Sequence, residues 1–203
     1  MSVLIKIDKE TNELIEYKIV STLITNRNNL TYEKANKSPF YKNMMKIVSK
    51  FYSSYSGKNV EITDSHELIE KLMVCANHFV AKYLIKKGRN PLLRVFDRNE
   101  DINEIKDREL KDFVSIYNSN NRARYELYDP SKKMRHSCMD LNPYCHFTSP
   151  IRRISDIYNG LLLYSTVMTK LDIDKVNDYE LRLKKYYRQL HRIELVQRVD
   201  SDK

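Results

Sequence analysis

Glycine is scarce in this chain: 3 in 203 residues, alongside 5 prolines, 3 cysteines and no tryptophan. The dinucleotide fingerprint and the P-loop both gather several glycines into one short turn, so that backbone amides can approach a phosphate. Three scattered glycines build neither. The cysteines, Cys75, Cys138 and Cys145, make no C-x-x-C pair, and their odd count argues against a disulfide framework. Reduced thiols are expected, and with them an intracellular location, the cytoplasm first. His136 and His146 stand near Cys138 and Cys145, but the spacing C-x6-C-H fits no common zinc pattern, so no metal ligand is assigned there. No apolar run reaches the length of a membrane span, and the N-terminus turns charged before a signal-peptide core can form.

Positive charge is what the chain has in excess. Lys and Arg number 36 against 27 Asp and Glu, leaving a net charge of +9 and a pI of about 9.3. That balance favours a polyanionic partner, nucleic acid before an anionic membrane. With 41% apolar residues the chain can build a core, and no repeat or low-complexity linker divides it.

The opening reads as a hairpin of Val3–Ile7 and Leu14–Val20, with Ile15, Tyr17 and Ile19 on one face and Glu16 and Lys18 on the other. From about residue 31 the period turns helical, with Phe40, Met44, Ile47, Val48, Phe51 and Tyr52 on one side and a turn at Ser56–Asn59. A helix capped by Asp64, with Glu67 in a capping box, presents Leu68, Leu72, Cys75, Ala76, Phe79, Val80 and Tyr83 and stops at Gly88. Residues 97–112 mix acids and bases and read as a solvated helix face. Residues 118–147 show no long period. A further helix is expected to start at Ser149-Pro150, with Ser at the N-cap and Pro at N1, and to bury Ile151, Ile154, Ile157, Tyr158, Leu161, Leu162 and Met168. A last amphipathic helix runs through Tyr179, Leu183, Tyr186, Leu190, Ile193 and Gln197. The class is α+β, N-terminal antiparallel strands packed with mostly C-terminal helices.

Chemistry concentrates between Arg122 and Arg153. Seven bases (Arg122, Arg124, Lys132, Lys133, Arg135, Arg152, Arg153) face three acids (Glu126, Asp129, Asp140), with Tyr125, Tyr128, Tyr144 and Phe147 interleaved. Bases track phosphates and aromatic faces accept unstacked nucleobases, a mixture suited to single strands. The same window also reads as a solvated loop with half-buried tyrosines. A Ser149-capped helix would aim free amides at a phosphate, beside the Thr148 and Ser149 hydroxyls and the Arg152 guanidinium. A well-capped helix whose arginines make surface ion pairs is the equal alternative.

The run His146-Phe147-Thr148-Ser149-Pro150-Ile151-Arg152-Arg153, with Tyr144 before it and Asp156 after it, resembles the signature Y-x-H-F-T-S-P-I-R-R-Y-x-D-L of the ribonuclease II/ribonuclease R (RNB) catalytic domain. Further segments follow in family order: Leu23-Ile24-Thr25 through Leu30-Thr31-Tyr32-Glu33, Glu70 through Met73-Val74-Cys75-Ala76-Asn77, Pro91-Leu92-Leu93-Arg94-Val95, and His136. The resemblance implies a 3′→5′ hydrolytic exoribonuclease acting on single-stranded RNA and releasing nucleoside monophosphates. It implies Arg152 as the catalytic arginine beside the scissile phosphate. Tyr144, His146, Thr148, Ser149 and Arg153 are then expected around the phosphate and terminal nucleotide, with Glu70 near the ribose.

Chemistry in the family uses two Mg²⁺ ions held by an aspartate cluster. That motif precedes every segment matched, so residues 1–203 are expected to form a partial RNB domain without those Mg²⁺ ligands and without the family's C-terminal S1 domain. Three functional readings result. In the first, a second chain carrying the N-terminal aspartates completes the enzyme. In the second, the chain is an inactive RNA-binding remnant or truncated frame; in the third, it is a structural or interaction protein that has abandoned RNA. Whether it is an enzyme is left open by its sequence.

Overall fold

The computed structural model describes residues 1–96, 123–137, 139–164 and 171–201, the stretch 194–201 as backbone. The chain is α+β: two small antiparallel sheets and five helices among the described residues.

Strands β1 (Ser2–Ile7) and β2 (Leu14–Val20) pair antiparallel from Ser2↔Val20 to Lys6↔Glu16, then shift so that Ile7 faces Leu14. Ile15 is the extra residue of this bulge and is 54% exposed. The expected Ile15–Tyr17–Ile19 face is therefore replaced at its start by Leu14, which packs with Tyr17 onto Phe51, Cys75 and Phe79. A bulge adds one residue to one strand, and strict alternation ends there.

The helical stretch after residue 31 is two helices. In α1 (Tyr32–Lys37) the N-cap Thr31 accepts from Lys34 N–H, and α2 (Pro39–Ser56) begins with a proline at its first position. Proline breaks the preceding helix because it forces the residue before it out of the helical region. On α2 the buried residues are Met45, Val48 and Phe51, while Phe40 and Ile47 point outward. The apolar face is thus rotated from the expected one, and it meets Ile62 and Leu68.

Helix α3 (Ser65–Lys86) follows the sequence closely at both ends. Asp64 Oδ1 accepts from Glu67 N–H at 2.8 Å, and Glu67 Oε2 reaches back to Thr63 N–H at 2.8 Å. Past the last turn, Gly88 N–H donates to Ile85 C=O at 2.9 Å and Arg89 N–H to Leu84 C=O at 3.0 Å, a Schellman closure with Gly88 at φ 68°. Gly88→Ala is expected to cost about 1 kcal/mol, read as a lower urea midpoint at unchanged slope. An unchanged midpoint would show that the turn is not needed.

Strand β3 (Leu92–Val95) is buried throughout and pairs antiparallel with β4 (Arg124–Leu127), a four-residue strand inside a region with no visible period. Helix α4 (Ile154–Tyr164) and helix α5 (Ile173–Ser201) follow. The main core joins the second half of α3 with β3, Tyr125 of β4, Tyr158 and Leu162 of α4, and Val176 of α5. Tyr179, Tyr186, Leu190 and Ile193, expected as the buried side of the last helix, are exposed. Among the described residues no helix is long and apolar enough to cross a membrane. The mixed-charge stretch 97–112, Arg122, Cys138, Met168 and the side chain of Gln197 lie outside the described residues.

Candidate functional site

The segment Tyr144–Arg153 is held from three sides. Cys145 forms an antiparallel bridge with Leu93, and Arg94 N–H donates to Tyr144 C=O at 2.8 Å, so the segment runs beside β3 on the edge opposite β4. From α3, Asn77 Nδ2 donates to Tyr144 Oη at 3.0 Å, while its Oδ1 accepts from Phe147 N–H at 2.9 Å. From α4, Asn159 Oδ1 accepts from Leu92 N–H at 2.9 Å, and its Nδ2 donates to Leu92 C=O at 3.0 Å and His146 C=O at 2.9 Å. Two buried asparagines thus replace ladder bonds that the short sheet cannot supply. Asn77 lies inside a segment the sequence singled out. Asn159 was not legible as a clamp, because one polar residue on an apolar helix face looks like an interruption.

Beyond His146 the structure corrects an expectation. Pro150–Arg152 form a turn closed by Arg152 N–H to Ser149 C=O at 3.3 Å, and α4 starts only at Ile154. Ser149 is not its N-cap. Its own N–H donates instead to Asp156 Oδ1 at 2.6 Å, and Ser155 Oγ donates to Asp156 Oδ2 at 3.0 Å. Asp156, in the first turn of α4, complements the positive helix end and draws the 149–152 turn back over it. The free-amide phosphate nest expected at Ser149-Pro150 is therefore absent there, its Ser149 amide being taken.

Arg152 is exposed on this turn, its guanidinium 3.5 Å from Ser149 Oγ and in no ion pair among the described residues. Arg153 is mostly buried, with Nε 3.5 Å from Asp156 Oδ2. That pair lacks hydrogen-bond geometry, and Arg153 Nε and Thr148 Oγ1 are both buried without a hydrogen-bond partner among the described residues. Buried polar groups left unmade cost about 1–3 kcal/mol each. Arg152 thus projects from the same turn as two buried donors, Thr148 Oγ1 and Arg153 Nε, the latter facing the Asp156 carboxylate.

Behind the turn stands an aromatic wall. His136 and Tyr144 meet edge to face at 5.3 Å, Tyr144 and His146 at 5.7 Å, and His146 and Tyr125 at 5.7 Å between ring centres. Tyr125 Oη and His146 Nδ1 share a 2.6 Å hydrogen bond. Burial first, then the nearby Arg153 and Arg94 charges, push the His146 imidazolium down to about 2, so the ring is neutral. Burial lowers His136 in the same sense and raises the Tyr144 phenol. Arg94 lies over the Tyr125 ring at 4.5 Å. Tyr144 and His146 are therefore committed to one another and to Asn77 and Tyr125.

The structure brings Tyr144, His146, Thr148, Ser149, Arg152 and Arg153 together on one strand and turn. Glu70 is not among them: on α3 its exposed carboxylate pairs at 2.9 Å with the partly buried Lys71, which lies over the Tyr52 ring. A cleft of about 710 Å³ opens beside Thr148, lined by Val3 and Ile5 of β1, Leu72 and Met73 of α3, and Phe147 and Gly160.

The described residues do not fit a divalent ion. No group of three or more His, Cys, Asp or Glu converges among them. Asp156 is taken by Ser149, Ser155 and Arg153, and the carboxyl of Glu180 is buried, its pKa raised by that burial against the pull of Arg94 and Arg153. Mg²⁺ needs ionised, accessible oxygens.

A family model described as the RNB domain matches residues 42–169. Among solved structures, yeast Ssd1, a pseudonuclease, is similar at TM-score 0.62 and 19% identity, covering 86% of this chain and 30% of that one. RNase R of Mycoplasma genitalium, in complex with double-stranded RNA, is similar at TM-score 0.44 and 20% identity, covering 93% of this chain and 34% of that one. The chain spans about a third of the length of each. No curated protein matches it.

Proposed function

Since the chain belongs to the RNB domain family, we propose that it grips the sugar–phosphate backbone of single-stranded RNA at the 148–153 turn and, by itself, holds RNA without cutting it. The juxtaposition that carries this reading is the exposed Arg152 beside the unpartnered Thr148 Oγ1 and Arg153 Nε. Arg152 offers the phosphate a bidentate fork, and the two orphaned donors gain the acceptor they lack. Tyr144 and His146 act as positioning residues: fully engaged behind the turn, they fix the strand from which it projects. Ser149 lends its hydroxyl to Arg152.

The family is generally metal-dependent, and the described carboxylates do not fit Mg²⁺. One observation favours a second reading, in which another polypeptide segment supplies the metal-binding aspartates and restores 3′→5′ hydrolysis. The β1–β2 sheet has two strands, so each keeps an open edge among the described residues, and β1 lines the apolar cleft beside Thr148. An open strand edge next to an apolar cleft is a template for pairing.

The test uses 5′-labelled single-stranded RNA with Mg²⁺. Retention without shortening is expected, weakening steeply with salt. Arg152→Ala is expected to weaken binding roughly tenfold, and Lys9→Ala on the distant hairpin loop to leave it nearly unchanged. A ladder of shortened products that vanishes in Arg152→Ala would overturn the non-cutting reading. Equal losses in the two variants would replace the phosphate site with diffuse charge.

A further inference from the structure

A second concave site lies where the sequence singled out nothing. A cleft of about 430 Å³, a size usual for small-molecule sites, is lined by Tyr17 of β2, Lys82 and Lys86 of α3, and Tyr128, Lys132 and Met134 of the segment after β4. Met73 faces the first cleft and Lys82 the second. Nine residues separate them on α3, about two and a half turns, which puts the clefts on opposite faces and roughly 14 Å apart along the axis.

Two of its three charges lack a counter-ion among the described residues. Lys82 and Lys86 stand at i and i+4, where like charges repel, and neither has a carboxylate partner among the described residues. Lys86 gains from the carbonyl end of α3; Lys82, a turn earlier, gains little. Lys132 touches Asp129 at 3.6 Å in an exposed pair, which is weakly held. Three cations converging on one hollow, with a single carboxylate at its edge, ask for an anion.

The aromatic side is firm. Tyr17 stacks on Phe79 at 4.5 Å and 12°, so its ring is fixed where it lines the cleft. Tyr128 is anchored by its N–H to Pro91 C=O at 2.9 Å, and Met134 is buried beneath. His78 Nδ1–H donates to Pro143 C=O at 2.6 Å and seats the far wall. Rigid aromatic faces beside converging lysines suit a base and its phosphate together.

We infer that this cleft takes one nucleotide unit of a single-stranded RNA, its phosphate on Lys82, Lys86 and Lys132 and its base against Tyr128 and Tyr17. This rests on the RNA-binding reading above and adds a second contact on the other face of α3. The site gives the strand a path past the helix, so binding depends on RNA long enough to reach both clefts.

The experiment measures anisotropy of fluorescent oligouridylates, short and long, against the full chain, Arg152→Ala, Lys82→Ala/Lys86→Ala and all three changes together. The lysine pair is solvent-exposed, and unchanged melting of its variant serves as the folding control; Tyr128→Leu is the second probe, removing the stacking face without touching charge. The lysine pair is expected to lower long-RNA affinity roughly fivefold at low salt and to flatten the salt slope by about 0.7, the share of one phosphate. Its effect should multiply with that of Arg152→Ala, since the sites do not touch. Inorganic phosphate at matched ionic strength should compete weakly, and uridine monophosphate better. If Arg152→Ala weakens binding and neither the lysine pair nor Tyr128→Leu does, the second cleft falls and the first reading stands. If the lysine pair matters and Arg152 does not, the reverse holds. Phosphate competing as well as the nucleotide would reduce the cleft to a simple anion site, and wild type that fails to bind RNA would end both.

Discussion

Replacing Asn159 with alanine is expected to destabilise the fold by about 3 kcal/mol or more, the largest effect of any single polar substitution here. The residue is fully buried, and its amide serves three main-chain groups, Leu92 N–H, Leu92 C=O and His146 C=O. Alanine leaves all three without a partner in a space that water does not reach, and each orphan costs about 1–3 kcal/mol. Asn159→Asp keeps the bond to Leu92 N–H but sets a carboxylate oxygen against two carbonyls, so it should be no better. Urea unfolding with an unchanged slope is the measurement. A loss below about 1 kcal/mol would mean that the strand and the functional segment hold each other without this amide. RNA binding should fall together with stability in Asn159→Ala, whereas Arg152→Ala should lose binding at full stability, because Arg152 makes a single weak contact.

Acid should unfold the protein through its histidines. Burial first, then Lys82, lowers His78 from 6.5 to about 4, although its bond to Pro143 works the other way; His146 falls to about 2, and His136 shifts in the same direction. The unfolded chain binds these protons at about 6.5, whereas the folded chain refuses them. The unfolded state therefore holds more protons below that pH, and stability falls as pH drops from 6.5 toward about 4 for His78, and further for His146. Each histidine contributes up to about 1.4 kcal/mol per pH unit inside its window. Glu180 opposes the trend, since its raised carboxyl accepts a proton more readily when folded. The depressed surface carboxylates Asp8, Glu67 and Asp129 act only below the ordinary carboxylate range. Melting temperature should thus fall clearly between about pH 6.5 and 5, before carboxylates titrate. His78→Asn should flatten part of that fall. A flat profile down to about pH 4.5 would assign acid sensitivity to the carboxylates instead.

Much of this chain was legible in one dimension. The hairpin, both ends of α3 and the helical character of the last third follow from local chemistry: alternation, a capping carboxylate, a glycine with positive φ, a sustained period. The candidate segment was picked out by its residues, and Arg152 emerges exposed at its tip. Where the reading missed, a contact distant in sequence had intervened. The Ile15 bulge follows from pairing with β1. The turn at Pro150 follows from Asp156 capturing Ser149 N–H, so that a strong local helix start lost to a side chain seven positions on. The exposed face of α5 follows from the helix packing on β4 along another stripe, through Val176 and Asn177.

By itself the sequence determined the charge that seeks a polyanion, the elements, and the order of motifs that marks the family. Only the tertiary structure decided which groups are spent and which are left over. Asn77 and Asn159 are consumed in holding the segment, Tyr144 and His146 in holding each other, and Asp156 in folding the turn. Among the described residues, Arg152 and Thr148 on the 148–153 turn, and Lys82 and Lys86 on the other side of α3, keep unspent donors or charge. A hydrogen bond satisfies a group only when its partner arrives in space, and that arrival is a property of packing, which spacing along the chain does not contain.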